Sequence, residues 1–190
     1  MTPEPEPDVF ERAYADTIDR IRRHGYTASV VGTGECFVPG CTCEPEPYPY
    51  AYSLGLCELD HPELVLFGLP LSAVNSALDP VYEAARDGAP LEIGQDHRHE
   101  VGPGRVLSLV PVPELWVRRD PGRIGTWIDV YGGPLPPFVQ VCWADRDGAL
   151  PWDDECADVV RNLQPILADD PIRYPRPPRN TSRHRRRRRR

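Results

Sequence analysis

The sequence predicts an α+β domain: a mainly antiparallel sheet of about five strands, open or partly closed into a barrel, packed by two or three helices. Three observations carry that expectation. Short apolar runs bounded by Gly and Pro recur at residues 52–56, 64–69, 105–113 and 138–144, with the length and punctuation of strands. Two longer stretches, 8–24 and 72–87, space their apolar residues at helical intervals instead. The order is helix first, then strands interrupted by one long helix, which lacks the alternation of a doubly wound parallel sheet.

Taken in order, residues 1–7 alternate Pro with Thr or Glu and form a disordered lead. The single globular domain is expected over 8–170. Asp8 and Glu11 resemble a capping pair, and Phe10, Ala13, Tyr14, Thr17, Ile18 and Ile21 fall on one helical face that ends at Gly25. Residues 26–31 read as a strand. Residues 36–43 then hold Cys36, Cys41 and Cys43 among glycines. These thiols could surround zinc, with Cys57 or His61 as fourth ligand, because tetrahedral zinc accepts thiolate and imidazole together. The competing reading is a loop of reduced thiols, or one opportunistic disulfide, since the spacing matches no familiar zinc knuckle.

The middle of the chain carries the most constrained pattern. Leu64 to Leu69 is an apolar run between Pro62 and Pro70, too short for an ordinary helix and therefore a strand buried on both faces. Tyr52, Leu54 and Leu56 alternate with Ser53 and Gly55 in a neighbouring strand. The polar connection between them brings His61, Glu58, Asp60 and Glu63 to one sheet edge. After Pro70 a helix is expected with Ser72 as cap and Val74, Leu78, Val81, Tyr82 and Ala85 on one face, kinked or split at Pro80. Leu91 and Ile93 mark a short strand, and His97 and His99 would share a face if their segment is extended. Residues 105–113 and 138–144 are strands, 115–132 a short helix across the sheet, and 157–167 a last helix cut short by Pro165.

Composition limits what the chain does. At 190 residues it fits one domain with tails. The absence of a long apolar run, or of an apolar segment behind a basic start, argues against a membrane span or a secretory signal. A cytoplasmic location with mostly reduced cysteines follows as the expectation. Charge is divided unevenly. All 22 basic residues are arginines; nine lie beyond Pro175, while all 29 acids lie at or before Asp170. The acidic body would repel phosphate, whereas residues 171–190 form a disordered basic tail. In it Arg185, Arg186, Arg187, Arg188, Arg189 and Arg190 could engage a polyanion.

Two blocks carry a family resemblance. Tyr52-Ser-Leu-Gly-Leu56 with His61-Pro-Glu-Leu-Val-Leu-Phe-Gly-Leu-Pro70, and Trp143-Ala-Asp-Arg-Asp-Gly-Ala-Leu-Pro-Trp152, resemble the bacterial proteins grouped as domain of unknown function family 4262. The resemblance covers residues 26–167 and implies no particular activity.

Motifs that would identify a phosphate loop, a dinucleotide fold, a nucleophile elbow or a zinc protease are missing from the sequence. Three function classes therefore compete. The first is an accessory domain binding an unknown small molecule or protein, with Tyr48, Tyr50, Tyr52, Trp143 and Trp152 lining an aromatic face and His97, His99 and Asp145 beside it; the alternative for those aromatics is core packing. The second is an enzyme in which His61 acts as acid–base, Glu63 or Asp60 orients it, and His97, His99 or Asp145 completes the site. The third is a nucleic-acid-associated protein acting through the arginine tail.

Overall fold

The computed structural model describes residues 9–32, 48–119 and 121–168. Cys36, Cys41, Cys43, the lead at 1–7 and the arginine tail lie outside these residues.

Helix α1 (Val9–His24) ends where Gly25 takes φ +81° and donates its N–H to the Ile21 carbonyl at 2.7 Å. Strands β1 (Thr27–Val31) and β2 (Tyr50–Leu54) pair antiparallel, a 3-10 turn (Leu56–Leu59) follows, and β3 (Glu63–Phe67) pairs antiparallel with β2. Helix α2 (Leu71–Arg86) leads to the hairpin of β4 (His99–Gly102) and β5 (Arg105–Pro111). Two short helices, α3 (Glu114–Arg119) and α4 (Gly125–Tyr131), precede β6 (Phe138–Trp143), and α5 (Asp158–Leu163) closes the described chain. The six strands form one sheet in the order β1-β2-β3-β6-β5-β4, antiparallel except where β3 meets β6. It is open, with β1 and β4 at its edges.

The apolar run of β3 lies near the middle of the sheet and every residue of it is buried. Side chains of a strand alternate between faces, so Val65 and Phe67 join Tyr50, Tyr52, Trp116 and Trp127 on one side. Leu64 and Leu66 join Val74, Leu78 and Val81 of α2 on the other, with Val139 and Val141 of β6. The core expected at Leu64, Leu66, Phe67, Val139 and Val141 is thus in place.

Several local expectations change. Helix α2 does not split in two; it runs through Pro80 as one element. Proline removes the N–H that would reach Ser76, and the Arg105 guanidinium donates to that Ser76 carbonyl instead, at 3.4 Å. Ser72 does not cap the helix, which starts at Leu71 behind Pro70. Leu91 and Ile93 form no strand; Ile93 contributes one isolated bridge to Leu109. His97 precedes β4 and His99 opens it, so the two do not share a strand face. Among the described residues no helix is long and apolar enough to cross a membrane.

Candidate functional site

The sheet edge around His61 is built by the 3-10 turn. Glu63 is fully buried, and its carboxyl accepts hydrogen bonds from the Ser53 hydroxyl, from the Gly55 N–H at 2.9 Å and from the Cys57 N–H at 3.2 Å. The Ser53 hydroxyl oxygen in turn accepts from the Leu64 N–H at 2.7 Å. The carboxyl therefore ties the turn to the end of the β2–β3 ladder. His61 is also buried. Its Nδ1 lies 2.7 Å from the Pro62 carbonyl, which can only accept, so Nδ1 carries the proton. Its Nε2 is enclosed without a hydrogen-bond partner. Asp60 is exposed, in the left-handed region at φ 54°. No hydrogen bond joins His61 to Asp60 or Glu63.

Cys57 sits beside this carboxyl and beside Tyr131 and Trp127. Burial, reinforced by Glu63, pushes its thiol up to about 11. Zinc needs the thiolate, so this environment works against Cys57 as a ligand. Among the described residues no three His, Cys, Asp or Glu side chains are placed to hold a metal. Cys57, Cys142 and Cys156 are thiols.

The second motif block folds into a carboxylate-centred loop. Asp145 accepts from the backbone N–H groups of Ala157 at 2.9 Å, Asp147 at 2.9 Å and Ala149 at 3.0 Å. Those backbone donors, Ala157 foremost, hold its carboxyl below the usual range. Asp153 is lowered chiefly by Arg98, at 2.6 Å, and also caps the Leu150 N–H. Trp143 donates from its indole to the Phe67 carbonyl at 2.9 Å, and the Gln164 amide bonds both of its backbone groups. Trp152 is partly buried. His97 meets the Glu92 carboxylate at 2.9 Å, and His99 meets the Glu92 carbonyl at 2.9 Å. Tyr52 is 1% exposed, its hydroxyl accepting from the Thr126 N–H. Tyr48 and Tyr50 are packed in the same core cluster. The predicted acid–base residues and the predicted ligand-binding residues are therefore not gathered around one opening.

A cleft that sequence reasoning missed lies between α1 and α2, beside edge strand β1, with a volume of about 490 Å³. One wall carries Arg20 and His24, four residues apart on α1; the other carries Asp79 and Glu83, four apart on α2. Such spacing puts both side chains of each pair on one helix face. Between them lie Tyr26 and Tyr82, ring centroids 4.7 Å apart. Tyr26 donates its hydroxyl hydrogen to Asp79. Burial first, and then Asp79, raises the pKa of this phenol, which keeps its proton. Arg86 lies over the Tyr82 ring and pairs with Asp87 at 3.0 Å. Glycine is favoured at 25: φ is +81°, and an added Cβ would come 1.8 Å from the Tyr82 hydroxyl oxygen. The only sequence signal was the two pairs at i, i+4, whose meeting depends on both helices packing beside β1.

A family model described as a domain of unknown function, DUF4262, matches residues 20–157, which include this cleft and the His61 edge. No curated protein and no solved structure matches the chain.

Proposed function

For this chain, which belongs to the domain-of-unknown-function family DUF4262, we propose a binding role, with a small polar molecule held in the cleft between α1 and α2. The supporting observation is the cleft itself: charged groups of both signs line an open volume of about 490 Å³, within the range of ordinary ligand pockets. A general acid or base must be free to reach the proton it transfers. The Glu63 carboxyl instead takes three internal donors in the interior, and the Asp145 carboxyl takes three backbone N–H groups. This internal bonding favours binding over a proton-transfer role for Glu63 and Asp145.

A thermal-shift screen of the full chain against charged metabolite-sized compounds tests the proposal. Compounds that raise the unfolding midpoint should lose that effect in an Arg20→Gln/Glu83→Gln double variant. Stabilisation that persists in the variant would place the binding elsewhere.

A further inference from the structure

Ion pairs between surface helices form readily when opposite charges face one another, although each contributes only about 0–1 kcal/mol. Across this cleft none has formed among the described residues: Arg20 and His24 stay on one wall, Asp79 and Glu83 on the other. Asp79 is oriented by the Tyr26 hydroxyl, which engages Oδ1 and leaves Oδ2 toward other donors. Arg86 is occupied by Asp87 and by the Tyr82 ring. Arg86 also lines the cleft from α2, but Asp87 offsets its charge, so among the described residues the unpaired charge is positive on the α1 wall and negative on the α2 wall.

That separation selects a ligand class. A simple anion drawn to Arg20 and His24 would meet the carboxylates of Asp79 and Glu83, and a simple cation would meet the guanidinium. A metal ion lacks the required set of ligands, since no group of three metal-binding side chains occurs among the described residues. We propose that the cleft binds a zwitterion of the amino-acid or short-peptide class, its carboxylate held by Arg20 and His24 and its ammonium by Asp79 and Glu83. The inference rests on the binding role proposed above and adds the chemistry of the ligand. Tyr26 and Tyr82 supply an aromatic floor for the carbon skeleton between the two charges. The side chains of Arg20, His24, Asp79 and Glu83 are exposed, so binding is weak, on the order of micromolar to millimolar.

The test is a titration of the isotope-labelled full chain, followed by amide chemical shifts, with glycine, 4-aminobutyrate, 6-aminohexanoate and glycylglycine. Acetate and butylammonium serve as single-charge probes. At least one zwitterion should shift resonances of both α1 and α2 and bind at least tenfold more tightly than either single-charge probe. Arg20→Gln and Glu83→Gln should each weaken it at least tenfold while leaving the unfolding midpoint unchanged, because both side chains are exposed. Acetate or butylammonium binding the cleft as tightly as every zwitterion would overturn the ligand class and leave the cleft as a binding site. If no probe shifts α1 or α2, the zwitterion assignment fails and the thermal-shift screen decides the broader binding role. Shifts confined to other parts of the chain would overturn it in the same way.

Discussion

The Ser53 hydroxyl and the Glu63 carboxyl are hydrogen-bonded in the fully buried interior, where regular pairing of β2 with β3 ends. Because the same hydroxyl accepts from the Leu64 N–H, it joins a backbone donor to the carboxyl. Glu63→Leu fills similar space but leaves the Ser53 hydroxyl and the Gly55 and Cys57 N–H groups without their acceptor. At about 1–3 kcal/mol for each buried group left unsatisfied, the substitution should cost 3 kcal/mol or more. Ser53→Ala should cost about 2–4 kcal/mol, through the Leu64 N–H and one carboxyl oxygen. Urea unfolding measures both, and a loss under about 1 kcal/mol for Glu63→Leu would show that the turn does not depend on this carboxyl.

Asp145 gives a pH dependence with a definite sign. Its folded-state pKa is depressed by backbone donors, that of Ala157 first, whereas the unfolded carboxyl titrates near 3.9. The stability it contributes is therefore fully present above about pH 4 and is lost as pH falls through the lower folded value. Asp153, lowered by Arg98, acts in the same direction. The difference in unfolding midpoint between the wild type and Asp145→Ala should be constant near neutrality and shrink below about pH 4. A difference that stays unchanged at about pH 3 would exclude this linkage.

Cys57 should alkylate slowly. With its thiol pushed up to about 11 by burial and Glu63, its thiolate fraction at neutral pH is roughly one three-hundredth of that of an ordinary thiol near 8.5. In a Cys36/Cys41/Cys43→Ser background, the iodoacetamide rate at Cys57, located by peptide mapping, should keep rising with pH past about 9 without a plateau. Levelling off near the ordinary thiol value would mean that Glu63 and burial do not act on it.

Gly25→Ala should damage the cleft before it damages the sheet. The position has φ +81°, which costs a residue with a side chain about 1–2 kcal/mol, and the new methyl would collide with the Tyr82 hydroxyl. The variant should lose about 2–3 kcal/mol by chemical denaturation and lose ligand-induced shifts on α2, with strand β3 amides still protected from exchange. A stability equal to that of the wild type would show that Tyr82 is free to move aside.

What was legible in the sequence follows from how burial marks composition. Strand β3 lies inside the sheet with both faces covered, so it had to be a continuous apolar run, and Leu64 through Phe67 showed it directly. The cleft left no such mark. Arg20, His24, Asp79 and Glu83 look in sequence like the solvated faces of two amphipathic helices, and only the packing of α1 and α2 beside β1 makes them opposite walls. Glu63 presents a related difficulty. Next to His61 it reads as an orienting carboxylate, but the donors that surround it come from the turn after β2, where neither periodicity nor spacing reveals where an N–H will point. Around Pro80 local chemistry shows only the missing N–H; the donor that reaches the Ser76 carbonyl comes from Arg105 on the distant β5.

That last contact can be tested as a coupled pair. Pro80 deprives the Ser76 carbonyl of its helical donor, and Arg105 supplies another at 3.4 Å. Pro80→Ala restores the intrahelical bond and removes a residue about 3 kcal/mol less favourable than alanine in a helix interior. Part of that gain, about 0.4–1 kcal/mol, is offset because proline also restricts the unfolded chain. The net effect should be a stabilisation of about 2 kcal/mol. Arg105→Ala should destabilise the wild type by about 0.5–1.5 kcal/mol, the net value of a typical intramolecular hydrogen bond. In the Pro80→Ala background it should cost distinctly less, since the carbonyl then has its own N–H. A double-mutant cycle reads the difference. Equal costs of Arg105→Ala in the two backgrounds would mean that the guanidinium does not compensate for the proline, and the continuity of α2 would then rest on the burial of Val74, Leu78 and Val81 alone.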